Sequence, residues 1–295
     1  MTAAGSAPAE PEEPVGAILA KMRHARGLTG ADLADMVNMS QPKISRIERG
    51  RASADPEDVR AIARALGADE SLIQTLIRRA EQSQDRMTDW RPVPTDLASR
   101  QDRVRDWEIS AREVRDFQPA VLTGLLQTSG YARATLASFH RVASPAPGKL
   151  VETSILAAVS ARVRRQEALA DPDRSFRFVF LEAVLRNPLC PPAEMIAQVN
   201  RIREVSARYT NVTIGVVPDG TALAIPPLHG FTLFDEALIL IDAYNTGLTT
   251  RGRTDIKQYR QVFEEFQAHA TTDVEPILAR YEKLYLDQLN ELSGR

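Results

Sequence analysis

The stretch from Leu28 to Arg51, LTGADLADMVNMSQPKISRIERGR, constrains this chain more than any other, because its stop and start signals force two short helices across one sharp bend. Thr29 and Asp32 have capping-box spacing: a hydroxyl accepts from the backbone N–H three residues on, and a carboxylate reaches back to the first. A helix therefore begins near Gly30. Leu33 and Val37 lie four apart on one face of it, and Ala34 is small enough to let a second helix pass close. Asn38 stops it, since Asn is the commonest substitute for Gly in the left-handed conformation that ends helices. Ser40 caps the next helix, Pro42 fits its first turn, and Ile44 and Ile47 repeat at three to face Leu33 and Val37. Gly50 closes this second helix.

Gln41, Lys43, Ser45, Arg46 and Arg49 are left facing outward. Gln pairs in two places with adenine edges and Arg does so with guanine, whereas Lys and Ser suit phosphates or either base. A polar helix face is ordinarily a solvated one. Here it coincides with the bend, so the set is expected to face a DNA groove. The charge balance agrees once it is located. The whole chain carries a formal net charge of −2, yet Lys21, Arg23, Arg26, Lys43, Arg46, Arg49 and Arg51 stand against Asp32, Asp35 and Glu48, seven minus three, a local excess of four. Affinity for phosphates depends on that patch rather than on the total.

On these residues, LTGADLADMVNMSQPKISRIERG resembles the Cro/repressor, or Xre-like, helix-turn-helix family of regulators. Ala34, Asn38 and Ile44 match its small, turn and hydrophobic positions. The resemblance implies a five-helix domain that binds operator DNA, with Ser40, Gln41 and Arg46 at the contact. Together with the outward face, it makes Thr29, Ser40, Gln41, Lys43, Ser45, Arg46, Arg49 and Arg51 the candidate DNA-binding residues. One position departs from the family: Gly30 stands where its members usually carry a phosphate-touching Gln.

The flanks supply the remaining helices. Residues 1–14 hold three prolines and no apolar period, so a disordered tail is expected. A helix over Val15 to Arg26 turns Ile18, Leu19 and Met22 inward before Gly27. Asp55 and Pro56 open another with a Val59, Ile62, Ala63, Leu66 stripe ending at Gly67, and a fifth begins near Asp69 with Leu72, Ile73, Leu76 and Ile77. These make a DNA-binding domain over 15–81. At 295 residues the chain has room for a second domain, expected at 96–295 after a polar, proline-bearing linker over 82–95.

The second domain mixes periods. From residue 96 to Pro119 a helical spacing continues through Leu97, Val104, Trp107, Ala111 and Val114; it suits core packing, with a dimer seam as the alternative. FRFVFL (176–181) and VTIGVV (212–217) are strands. The helix between them, with Met195, Val199, Ile202, Val205 and Tyr209 on one side, makes a parallel βαβ unit. FTLF and ALILIDA form an antiparallel hairpin across Asp235 and Glu236. Two helices, with Ile256, Tyr259, Phe263 and Phe266 and then Ile277, Tyr281, Leu284 and Tyr285, finish the chain. The expected class is α+β, a five-helix domain followed by a small helix-covered sheet. FQPAVLTGLLQTSGYARATL, ARVRRQEAL, FVFLEAVLRNPL and NVTIGVVPDG before HGFTLF resemble the C-terminal domain of a large set of actinobacterial Xre-type regulators, over most of 96–285. Thr123 replaces its usual Pro. That resemblance implies developmental or antibiotic-pathway regulation, often beside a small partner protein, and supplies no ligand.

Catalytic chemistry finds little footing. Cys190 is the only cysteine, which excludes an intramolecular disulfide and a cysteine zinc cluster. His140, His229 and His269 have no metal-ligand spacing, and no nucleophile elbow or phosphate loop occurs. Glu182 suits a general base or, more ordinarily, a cap or ion-pair partner. Arg162, Arg164, Arg165 and Gln166 suit an anion site or a solvated face with one internal ion pair. No run approaches the ~18 apolar residues of a membrane span, and the N-terminus lacks a secretion signal. The expectation is a cytoplasmic, non-enzymatic, sequence-specific transcriptional regulator without cofactor or metal. Its partners are double-stranded DNA, a second copy, and a small protein or small-molecule effector. A DNA-tethered enzyme acting on a metabolite and an antitoxin-like partner module are the alternatives.

Overall fold

The computed structural model describes residues 14–49, 55–84, 88–90, 97–143, 149–243 and 247–293. It divides into two compact units, Met1–Arg86 and Met87–Arg295. The tail before Pro14, and Gly50 and Arg51 after the second motif helix, lie outside the described residues.

The first unit is helical: α1 (Val15–Ala25), α2 (Gly30–Met36), α3 (Gln41–Glu48), α4 (Pro56–Ala65) and α5 (Glu70–Gln84). Each helix has a single apolar stripe, so none is stable until the others cover it. Leu19, Leu33, Ile44, Val59, Ile62 and Leu76 form the shared core. Gly16 lets α1 cross α3 closely, since a methyl group there would overlap the Ile47 carbonyl oxygen. Gly27, at φ +69°, ends α1 in the left-handed region. One position expected inward faces outward. Leu72 is exposed, and the buried stripe of α5 runs Ile73, Leu76, Ile77, Ala80. That i, i+3, i+4, i+7 phase puts Leu72 off the edge of the buried stripe.

The second unit is a seven-stranded mixed sheet in the order β1-β7-β6-β5-β2-β3-β4, so the chain as a whole is α+β. Its elements run β1 (Thr88–Trp90), α6 (Leu97–Ser110), β2 (Glu113–Gln118), α7 (Ser129–Ala143), α8 (Lys149–Arg165), β3 (Ser175–Leu181), α9 (Ala183–Arg186), α10 (Pro192–Arg208), β4 (Val212–Val217), β5 (Phe231–Phe234), β6 (Leu238–Asp242), β7 (Gly247–Thr250), α11 (Arg253–Ala268) and α12 (Glu275–Ser293). Strands β2, β3 and β4 are parallel, and β5, β6, β7 and β1 pair antiparallel. The βαβ unit and the hairpin stand as the sequence predicts. The hairpin turns at Asp235, whose φ is +51°.

The helical period read through Ala111 and Val114 does not hold. Helix α6 stops at Ser110 and the chain enters β2, between β5 and β3 in the sheet. Asp235 explains the break, because its Oδ1 accepts from the backbone N–H of Arg112 (2.9 Å) and Glu113 (2.8 Å), which fixes these residues in an extended conformation beside the hairpin. Within 82–95, Thr88–Trp90 pairs with β7 as an edge strand.

Two apolar layers sandwich the sheet. On one face Val114, Phe176, Phe178, Phe180, Val212 and Ile214 pack under α10 and α12. On the other, Phe117, Val179, Phe231 and Ile239 meet Phe263 and Phe266 of α11, where Phe117 and Phe266 stack at 3.9 Å. Among the described residues, no helix is long and apolar enough to cross a membrane.

Candidate nucleic-acid interface

Local chemistry fixes the bend between α2 and α3. The Thr29 hydroxyl accepts from the Asp32 N–H (3.1 Å), and the Asp32 carboxylate accepts from the Thr29 N–H (2.8 Å). The same contacts hold the Asp32 carboxyl below its usual pKa, with the Thr29 hydroxyl as the main cause. At the other end Asn38 takes φ +53°, and the Met39 N–H closes back on the Ala34 carbonyl at 2.9 Å. Ser40 then occupies the N-cap position of α3 without a side-chain cap bond, and Pro42 lies in the first turn.

Ile44 and Ile47 are buried, which turns the opposite side of α3 outward. Ser40, Gln41, Arg46 and Arg49 are exposed there, Ser45 is half-buried, and Arg51 lies outside the described residues. Not every candidate is equally available. The Thr29 hydroxyl is committed to the capping box. Lys43 donates to Asp58 of α4 at 2.8 Å, so a phosphate has to compete for it. Arg46 bends its Nε toward the Pro42 carbonyl of its own helix (3.3 Å) and keeps its outer face open. Gln41 lies over Gly30, whose missing side chain leaves the amide the space a family Gln would fill.

One contact has no signal in the local sequence. Arg23 of α1 grips Glu48 of α3 with two bonds, Nε to Oε1 at 2.7 Å and Nη2 to Oε2 at 2.8 Å, and its Nη1 donates to the Leu28 carbonyl at 2.7 Å. The side chains are only 10% and 12% exposed. The hydrogen bond to Glu48 is the main reason the Arg23 pKa is raised. A separation of 25 residues hides this pair from any periodicity. It corrects the composition of the basic patch: Arg23 is an internal strut that cancels Glu48, which leaves Lys21, Arg26, Lys43, Arg46 and Arg49 against Asp32 and Asp35, five minus two, among the described residues. The floor of a 340 Å³ cleft between α1 and α3 includes this pair, with His24, Gln41, Ser45 and Arg49 around it.

In the second unit, Glu182 is buried as an ion-pair partner. It accepts from the Asp219 N–H (3.0 Å), from the Tyr281 hydroxyl (2.9 Å) and from Arg280, and its pKa is lowered although burial alone opposes that. His229 meets the Tyr259 hydroxyl at 2.9 Å, and the described residues contain no group of three or more metal-ligating side chains. Burial, with Glu194 nearby, pushes the Cys190 thiol up to about 11. The arginine run has the one internal ion pair that the sequence suggested, Arg165 with Glu108. Arg164 is exposed, but Arg165 is buried against Glu108 and Arg162 turns inward to two glutamines.

The capped bend with one buried and one polar face defines a helix-turn-helix protein, and a family model described as a helix-turn-helix domain matches residues 14–76. The chain belongs to the family described as domain of unknown function (DUF5753), whose model matches residues 101–277. No curated protein matches it. Among solved structures, NucT from Helicobacter pylori aligns with 10% identity over 63% of this chain and 98% of its own, at a TM-score of 0.35. The archaeal chromatin protein TrmBL2 aligns with 9% identity over 86% of this chain and 93% of its own, at 0.32. Likeness that low carries no argument about function.

Proposed function

We propose that this chain is a sequence-specific DNA-binding transcriptional regulator that inserts α3 into the major groove. The observation that carries this reading is the division of α3: Ile44 and Ile47 are buried at 1% and 3% exposure, while Gln41, Arg46 and Arg49 project from the other side. An exposed, pre-fixed helix with bidentate side chains is the device that reads base edges. Thr29, Ser40 and Lys43 then position the backbone, and Gln41, Ser45 and Arg46 face bases. Arg49 extends the basic rim, and Arg51 follows it in the sequence. One recognition helix spans only a few base pairs, so two copies at half-sites about 34 Å apart are required for specificity. The second unit supplies dimerisation and the sensing of an effector or protein partner, and a regulator of this kind works in the cytoplasm.

The test is a gel-shift series on an operator recovered by DNA footprinting. Arg46→Ala is expected to cost ~1 to 3 kcal/mol and to relax base preference, whereas Lys43→Ala weakens all sequences alike. Unchanged affinity and preference for the Arg46 variant would overturn the reading.

A further inference from the structure

Two opposite charges in the second unit, Asp116 buried and Arg162 half-buried, flank one cluster and lack charged partners among the described residues. Asp116, on β2, is 5% exposed. Its Oδ2 accepts from the Thr232 hydroxyl at 2.6 Å, and its Oδ1 is buried without a hydrogen bond among the described residues. Arg162, on α8, donates to the side-chain oxygens of Gln101 (3.1 Å) and Gln127 (2.7 Å), both neutral.

Their neighbours are already paired, Arg165 with Glu108 at 2.5 Å and Arg100 with Asp242. The two unpaired charges are linked through consecutive residues. Thr123 stands beside the Asp116 carboxylate, and Gly124 lies against Arg162 and Arg165, 3.6 Å from where its Cβ would be. Buried charges cost free energy unless they are paired. Both groups show that cost. Burial lifts the Asp116 carboxyl to about 6, and burial, then the like charge of Arg165, lowers Arg162 to about 9.

The place in the fold suits a ligand. Asp116 lies near the carboxyl end of β2, beside the parallel strand β3, and ligands of such sheets gather outside the carboxyl ends of the strands. Arg162 is partly open to solvent while Asp116 is closed off. The cluster also limits the class. Arg100, Arg162 and Arg165 balance Glu108, Asp116 and Asp242, so a lone anion or cation upsets the balance and a molecule carrying both charges preserves it.

We propose that this cluster binds a small zwitterion of the α-amino acid class, whose ammonium donates to Asp116 Oδ1 and whose carboxylate accepts from Arg162. The proposal rests on the reading that the second unit senses an effector, and it names the site and the chemistry.

The experiment uses the full chain without DNA. Each of the twenty standard α-amino acids is titrated by calorimetry and by thermal unfolding, with acetate and ethylamine as single-charge controls. At least one amino acid raises the unfolding temperature in a concentration-dependent way. Asp116→Asn and Arg162→Gln each weaken its binding about ten- to a hundredfold, with circular dichroism showing that each variant folds. If one variant fails to fold, the other decides. The proposal is overturned if no amino acid binds, if a folded variant binds as tightly as the parent, or if acetate or ethylamine binds as well as the amino acid. Because DNA is absent, the outcome is separate from the Arg46 gel shift.

Discussion

Replacing Glu48 by Ala leaves the Arg23 guanidinium with the Leu28 carbonyl, at 2.7 Å, and the neighbouring His24 ring, at 3.3 Å, with two charge-assisted bonds gone. Breaking a buried pair by removing one partner costs about 3 to 5 kcal/mol. The tenth or so of each side chain that remains exposed, and the surviving carbonyl bond, place this case near about 3 kcal/mol. A unit of this size has a total stability of roughly 4 to 10 kcal/mol, so the variant loses a large part of it. The two units separate by spectroscopy, because both tryptophans, Trp90 and Trp107, lie in Met87–Arg295. In urea, the far-ultraviolet circular dichroism of Glu48→Ala should show a transition moved to lower denaturant, with the tryptophan fluorescence transition unmoved. The double variant Arg23→Met, Glu48→Leu should recover most of the loss, since an apolar pair removes the stranded charge. Coincident transitions for the parent and Glu48→Ala would refute the assignment of this pair as the strut between α1 and α3.

Three further outcomes follow from the geometry. Gly16→Val drives a side chain into the Ile47 carbonyl and should destabilise the first unit by at least about 1 to 3 kcal/mol; an unmoved circular dichroism transition contradicts it. Thr29→Ala removes the capping box and should cost about 1 kcal/mol in the same assay, with Thr29→Ser restoring it. Asp116→Asn should change the pH dependence of the second unit. A carboxyl whose folded pKa is raised to about 6 from 3.8 stabilises the fold below its unfolded value and loses that contribution as pH rises through the folded one. The Asn variant should therefore gain on the parent above about pH 6, by up to about 3 kcal/mol, and the gap should close toward about pH 4. Tryptophan fluorescence melts across that range check the sign, and a pH-independent difference counts against it.

The parts of the molecule legible in the sequence were those set by local rules. The capping box at Thr29 and Asp32, the left-handed Asn38, and the Ile44 and Ile47 stripe depend on residues within a turn of one another. The strands of β3 and β4 and the β5-β6 hairpin carry β-branched and aromatic runs with a turn between them. What escaped was set by long-range partners. The Arg23–Glu48 pair spans two helices, and β2 looks helical because Val114 continues the spacing of α6 until Asp235, more than a hundred residues on, takes its first N–H groups. The short strands β1, at the sheet edge, and β7 beside it have too few residues to show a period. The arginine run on α8 was legible in part: its one internal ion pair forms, Arg165 with Glu108, but which side chains turn inward depends on distant partners, Glu108 and Gln127.

The most direct measurement is selection of bound sequences from a pool of random DNA duplexes by the full chain and by Arg46→Ala. An enriched motif with two related half-sites about ten base pairs apart is expected, and for the variant a weaker motif degenerate at one position in each half. A pool that stays random with the parent chain, or an identical motif of equal strength with Arg46→Ala, would contradict the claim that α3 reads DNA.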